Sequence, residues 1–196
     1  MTTDKLINQF ISLLKFWNRK VNLVHVDTVK TLQQRHIEDC AQLRNYIDPT
    51  HTILDIGSGA GFPGVILAIY GFKNIILCEK DFRKSVFLKD VKRQLKLDYT
   101  VFNGDVYQLD TSKINTPITA VSRAYGSLSE LLDVMDTLKI STGVFNKGSS
   151  YQVEINEAKQ QFNFHYTTFR SVTDINGVIL KVLNVTRYKN LKKIVC

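Results

Sequence analysis

The stretch Ile53-Leu54-Asp55-Ile56-Gly57-Ser58-Gly59-Ala60-Gly61-Phe62-Pro63-Gly64 limits the possible folds more than any other part of this chain. A short apolar strand runs into Gly57, Gly59, Gly61 and Gly64, and an apolar run from Gly64 to Tyr70 follows at helical length. Glycines let a chain turn tightly and bring bare backbone N–H groups against a ligand at a helix start. Downstream, short apolar runs alternate with helical stretches. The runs Thr52 to Ile56, Ile75 to Cys78, Thr100 to Phe102, Ile118 to Ser122 and Gly143 to Asn146 read as strands. Gly64 to Tyr70, Phe82 to Leu97 and Ser127 to Leu138 read as helices between them. Such alternation predicts βαβ units and a parallel sheet. Two further β-rich runs, Phe162 to Arg170 and Val178 to Thr186, are joined through Asp174-Ile175-Asn176-Gly177, and an Asn-Gly step between such runs predicts antiparallel pairing.

The N-terminal part reads as a helical cap over residues 1–49, set on an α/β core over 50–196, the two forming one unit. Leu6, Ile7, Phe10, Leu13, Leu14 and Trp17 recur at three- and four-residue steps, the mark of one helix face, with Thr3 or Asp4 as cap. A loop over Asn18 to Asp27 precedes a second helical stretch opened by Thr28, with Leu32, Cys40, Leu43 and Ile47 available for burial. Asp48-Pro49 ends it, since the residue before proline disfavours helix. Five parallel strands closed by an antiparallel pair is the sheet plan of the Rossmann-like class I methyltransferases, an analogy of fold only.

Two ligand classes fit the glycine loop. From Gly59 it matches the dinucleotide pattern Gly-x-Gly-x-x-Gly; from Asp55 it matches Asp-x-Gly-x-Gly-x-Gly, the pattern of S-adenosylmethionine binders. The acids favour the second. Asp55 at the strand end would repel a pyrophosphate but could help satisfy an ammonium or sulfonium, directly or through water. Glu79, ending the next strand, could accept both ribose hydroxyls, and Asp105, after the third, could accept an adenine amino group beside the backbone of Val106 and Tyr107. Helix capping for Asp55 and solvated strand ends for Glu79 and Asp105 are the structural alternatives.

The acceptor leaves traces of its own. Methylation of an exocyclic amine calls for an Asn/Asp-Pro-Pro-Tyr/Phe cluster after the fourth strand, where this chain has Ser122-Arg123-Ala124-Tyr125 and no Pro-Pro pair anywhere. Methylation of a pyrimidine C5 calls for a cysteine nucleophile, and Cys78 after the second strand reads as core. No histidine base stands at a strand end. What remains is an acceptor with a nucleophilic lone pair, such as a purine ring nitrogen, which needs orientation and exclusion of water. Arg123 could hold guanine O6, a phosphate or the donor's carboxylate, and Lys147 after the fifth strand could play a similar part; a surface ion pair and a loop-start lysine are the plainer readings.

Lys and Arg total 26 against 18 Asp and Glu, a formal charge of +8, which favours a polyanion such as nucleic acid, although many basic proteins bind none. Lys80, Arg83, Lys84, Lys89, Lys92, Arg93 and Lys96 against Asp81 and Asp90 give one helix a net +5. Its distal lysines read as a solvated face, whereas Lys80, Arg83 and Lys84 stand nearer the ligand. Arg187, Lys189, Lys192 and Lys193 make a basic tail. Apolar residues at 44% and charged residues at 22% are globular values. No run approaches a membrane span, no secretory leader is expected, and three scattered cysteines fit a reducing cytoplasm. The four histidines have no ligand spacing, so no metal is expected.

With these residues in hand, the chain resembles the bacterial 16S rRNA (guanine-N7) methyltransferases, also called the glucose-inhibited division protein B family, over roughly residues 10 to 190. The resemblance is carried by Trp17-Asn18-Arg19-Lys20-Val21-Asn22-Leu23, Arg35-His36-Ile37-Glu38-Asp39, Asp55 to Gly64 with its Phe62-Pro63-Gly64 ending, Arg83-Lys84-Ser85-Val86-Phe87-Leu88, and Ser122-Arg123-Ala124. It implies S-adenosylmethionine as donor and N7 of a guanine in the 530 loop of 16S rRNA as acceptor; 16S rRNA or an assembling small subunit is the expected partner, and a monomer the expected state. It puts donor contacts on Gly57, Phe62, Val106, Tyr107 and Arg123, to which the residue reading adds Asp55, Gly59, Glu79 and Asp105. Arg19, Lys20, Arg35, His36 and Lys84 would hold RNA, though His36 and Asp39 could instead pair with each other. The chain departs from the family at Val106-Tyr107, where Ala-Glu or Val-Glu is frequent, and at Asn146-Lys147-Gly148, where Leu-Lys-Gly is usual. Other readings keep the fold but change the activity. They are a small-molecule or protein methyltransferase, a non-catalytic RNA-binding protein, and an NAD-dependent oxidoreductase, for which no catalytic Tyr-x-x-x-Lys site is evident.

Overall fold

A computed structural model describes residues 1–25 and 33–188, with the side chains of residues 33–35 left out. Helix α1 (Thr3–Asn18) buries Ile7, Phe10 and Leu14 on one face, as its spacing predicts. It begins a residue early: Thr2 is the cap and makes no side-chain hydrogen bond, so Thr3 and Asp4 lie inside the first turn, where the Asp4 charge suits the helix dipole. Trp17 Nε1 donates to Asp90 Oδ2 at 3.0 Å and docks α1 on the helix that carries Asp90. Asn18 then folds the loop back: its Oδ1 accepts from Leu23 and Val24 N–H (2.8 and 3.0 Å) and its Nδ2 donates to Val24 C=O at 3.0 Å.

The helix expected from Thr28, with Leu32, starts outside the described residues. Where described, it is three short pieces: a π-helical turn (Gln33–Glu38), one α turn, α2 (Asp39–Ala41), and a 3-10 turn (Gln42–Asn45). The pieces share the burial of Ile37, Cys40 and Leu43. Lys189, Lys192 and Lys193 of the basic tail also lie outside the described residues.

From residue 52 the chain alternates as predicted: β1 (Thr52–Ile56), α3 (Gly64–Ile69), β2 (Ile75–Glu79), α4 (Phe82–Leu95), β3 (Thr100–Asn103), β4 (Ile118–Ser122), α5 (Leu128–Thr137), β5 (Thr142–Lys147), α6 (Tyr151–Ala158), β6 (Phe162–Arg170) and β7 (Val178–Arg187). Helix α6 is absent from the sequence reading, because its eight residues bury only Ile155 and Ala158 and show no apolar period. The strands form one sheet in the order β3-β2-β1-β4-β5-β7-β6. β1 through β5 pair in parallel, and β7 runs antiparallel between β5 and β6. The hairpin turn is longer than a two-residue Asn-Gly link: Arg170 pairs with Val178, and Gly177 N–H donates to Asp174 C=O at 3.0 Å.

Chain order departs in opposite directions from β1 and β4, so a crevice opens outside their carboxyl ends, the usual ligand position in such sheets. Ser122 Oγ donates to Ile56 C=O at 2.8 Å and ties the two strands at that point. One face of the sheet carries the cap, α3 and α4; the other carries α5 and α6. Ile7, Phe10, Leu14, Ile37 and Leu43 share a core cluster with Val65 and Phe87, so cap and sheet bury one another rather than separate cores. Phe10 is the pin. Its ring stands edge-on to Phe62 at 5.7 Å and 6.4 Å from Phe87. Phe10→Ala should cost about 3–5 kcal/mol, read as a lower denaturant midpoint in guanidinium unfolding; a loss within about 0.5 kcal/mol, the size of an ordinary surface change, would show that the cap is not pinned there.

Candidate active site

Each turn after a strand contributes one wall of the crevice. Past β1, Gly57 turns with φ +69°, and the Tyr125 ring packs where a β-carbon would stand. Any other residue there would be strained and would collide with that ring. Gly64 plays a different part: a β-carbon on it would come within 2.7 Å of Asp55 Oδ2. Its absence lets Gly64 N–H donate to that oxygen at 3.0 Å.

This places Asp55. Its carboxylate is fully buried behind the glycine loop and holds the start of α3, as the helix-capping alternative has it. Burial pushes its carboxyl from 3.8 up to about 7; the Gly64 N–H works against that rise and the nearby Glu79 charge adds to it.

Glu79 does reach the crevice. Its Oε2 accepts from Gly59 N–H at 2.8 Å and its Oε1 from Asp81 N–H at 2.7 Å, so it also ties the loop to the end of β2. Each oxygen keeps a second lone pair. After β3, Asp105 lines the crevice and caps the next turn through Tyr107 N–H at 3.0 Å, with buried Val106 beside it. Tyr107 does not line it. Its N–H is held by Asp105 and its hydroxyl donates to Asp133 Oδ2 at 2.7 Å, which turns the ring toward α5.

The crevice has two adjoining lobes, of about 430 Å³ and about 580 Å³. Gly57, Gly59, Phe62, Glu79, Asp105, Val106 and Lys84 line the first. Asn146, Lys147, Glu154 and Thr173 line the second. His36, Arg123 and Ala124 border both. Arg123 Nε donates to Asp39 Oδ2 at 3.1 Å, its Nη1 meets His36 Nδ1, and its guanidinium stands 5.6 Å from the Phe62 ring centre. An arginine can only donate, so His36 Nδ1 accepts and Nε2 carries the imidazole proton. Arg123 thus joins His36 to Asp39.

Asp39 extends the junction. Its Oδ1 accepts from Gln42 Nε2 and Thr173 Oγ1, both at 2.9 Å, and its C=O accepts from Asn146 Nδ2 at 2.9 Å. Lys147 is not poised over the first lobe. Its ammonium, with 7% of the side chain exposed, is bound to Glu154 Oε2 at 2.7 Å and Gly126 C=O at 3.4 Å. Arg19 and Lys20 stand exposed beyond α1 and off the crevice, while the Arg35 side chain lies outside the described residues. Tyr125, Asp39, Asn146 and Glu154 belong to the site but escape the sequence reading of it. Tyr125, Asp39 and Asn146 had a signal, as chain neighbours of Arg123, His36 and Lys147; Glu154 had none.

The sheet order, the glycine loop and the acids at successive strand ends define a class, the Rossmann-like methyltransferases. The magnesium protoporphyrin IX methyltransferase of Synechocystis PCC 6803, solved with S-adenosylmethionine bound, superposes with a TM-score of 0.59 at 13% identity, over 94% of this chain and 98% of that one. Likeness at that identity speaks for the fold. The family described as rRNA small subunit methyltransferase G matches residues 3–183. Ribosomal RNA small subunit methyltransferase G of Orientia tsutsugamushi (strain Ikeda) is 39% identical over 176 residues, 89% of this chain and 87% of its own. The Rickettsia felis protein of the same name is 35% identical over 180 residues, 91% of this chain and 92% of its own. The chain belongs to the rRNA small subunit methyltransferase G family.

The raised Asp55 carboxyl has a consequence for stability. Folding favours its protonated form, so its contribution is complete below about pH 4 and is lost as pH rises toward about 7. The slope is at most about 1.4 kcal/mol per pH unit. Asp55→Asn keeps an oxygen for Gly64 N–H and has no proton to lose. Guanidinium unfolding between pH 4 and 8 should show the variant gaining on the wild type as pH rises; a constant difference would contradict the buried, protonated carboxyl.

Proposed function

We propose that this chain transfers the methyl group of S-adenosylmethionine to N7 of a guanine in the 530 loop of 16S rRNA. The junction between the two lobes carries the reading. It presents the Arg123 guanidinium and the His36 imidazole as hydrogen-bond donors, and its one carboxylate, Asp39, is engaged by Arg123, Gln42 and Thr173. A site of that kind suits an acceptor whose lone pair needs no deprotonation. Cys78 borders the first lobe, and burial, then the Asp55 charge, push its thiol up to about 12, which disfavours the thiolate needed to activate a pyrimidine C5.

The first lobe fits the donor. Gly57 and Gly59 leave bare peptide at its floor, Glu79 and Asp105 supply acceptors on one side, and Val106 gives an apolar wall. Bound there, S-adenosylmethionine supplies a methyl group on a sulfonium. Glu79 would hold the ribose hydroxyls with its remaining lone pairs, and Asp105 the adenine amino group. Phe62 and Ala60 exclude water beside the loop. Arg123, fixed between the lobes, would orient guanine O6 or a flanking phosphate so that N7 faces the methyl group. Lys147 and Glu154 shape the wall of the second lobe, and His36 and Lys84 flank the RNA. Lys147 is then a positioning residue.

Tritiated donor offered to small ribosomal subunits, free 16S rRNA and protein extract separates this reading from a small-molecule or protein acceptor. Label should enter the RNA at guanine N7, and Arg123→Ala should lose about a hundredfold in rate with an unchanged unfolding midpoint. Label in protein alone would overturn the substrate, and undiminished incorporation by the variant would overturn the role of Arg123.

A further inference from the structure

Phe82, the first residue of α4, leaves 68% of its surface in water. Helix geometry does not require a ring there. The first turn is satisfied by Asp81, whose Oδ1 accepts from Arg83 N–H at 2.8 Å and Lys84 N–H at 3.1 Å. Next to it in the chain are Lys80, Arg83 and Lys84, and none of the three forms an ion pair among the described residues. Against the single Asp81 carboxylate they leave two positive charges. Lys80 and Lys84 also line the mouth of the first lobe, so the patch is continuous with the crevice. An exposed aromatic face among such cations, opening onto a site for a nucleobase, has the chemistry that holds a single strand: a base stacks on the ring while phosphates lie on the cations.

We propose that Phe82, with Lys80, Arg83 and Lys84, is a landing surface for single-stranded RNA at the crevice mouth, where one unpaired base stacks on the Phe82 ring. The proposal rests on the RNA-methylating reading above and adds to it a residue outside the transfer site. Charge complementarity selects the occupant, since an apolar protein partner would gain nothing from three such cations.

The test is binding of a fluorescent single-stranded RNA of about twelve nucleotides, and of an RNA duplex of equal length, measured by anisotropy at several KCl concentrations. Wild type should prefer the single strand. Phe82→Ala should weaken single-strand binding about tenfold while leaving the salt slope unchanged, because stacking releases no counterions. Phe82→Trp should retain affinity. Phe82→Leu, which keeps apolar area but loses the π face, should behave as alanine does. Arg83→Ala should instead lower the salt slope by about 0.7. Calorimetry with S-adenosylmethionine on the same preparations should give one affinity for all of them, which shows the crevice intact. Wild-type affinity in Phe82→Ala, or in Phe82→Leu, would overturn the stacking proposal and leave the methylating reading standing. A wild type that binds donor but neither RNA would overturn the landing surface, and label entering small ribosomal subunits would still decide the methylating reading separately.

Discussion

The Asp39 carboxylate against the Arg123 guanidinium holds the site together. Three separate parts of the chain meet there: the cap through Asp39 and His36, the end of β4 through Arg123, and the β6–β7 turn through Thr173. The pair is partly exposed, at 22% for the Arg123 side chain and 17% for Asp39, so its Coulomb energy is no large source of stability. Its consequence is registration. The planar guanidinium has fixed donor directions, and it meets both Asp39 and His36 of the cap from the end of β4. Loss of either residue would remove this tie between the cap and the end of β4 and free the cap to shift over the strand ends.

The crevice follows from topology before chemistry. Strands added on opposite sides of β1 and β4 open a gap beyond their carboxyl ends. Ser122 stitches the floor of that gap, and the glycine loop fits within it only because Gly57 yields to the Tyr125 ring and Gly64 to Asp55. Buried acids divide the labour. Asp55 shapes the loop from behind and Glu79 ties it from the front, which leaves Glu79 and Asp105 lining the crevice.

What the sequence disclosed and what it hid separate along the range of the interactions. Strand–helix alternation and the glycine loop are local patterns, and β1 to β5 formed where their apolar runs predict. The antiparallel end was legible from two β-rich runs and a turn. The role of Asp55 at the start of α3 was legible only as an alternative, because the bond from Gly64 N–H depends on a missing β-carbon nine residues away. Lys147 looked available because its partner Glu154 lies on α6, a helix too short and too polar to show a period. Tyr107 looked like a ligand contact until α5 brought Asp133 within reach of its hydroxyl. The junction itself spans 84 residues from Asp39 to Arg123, and no local pattern announces such a pair.

A double-mutant cycle on Asp39 and Arg123, read as the rate of methyl transfer to 16S rRNA, tests this coupling most directly. Residues acting as one unit give non-additive losses. Asp39→Ala should slow transfer about tenfold when Arg123 is present, a coupling within the range of contacting pairs, and should change nothing further once Arg123→Ala is in place. Equal losses from Asp39→Ala in both backgrounds would contradict the claim that this pair positions the acceptor.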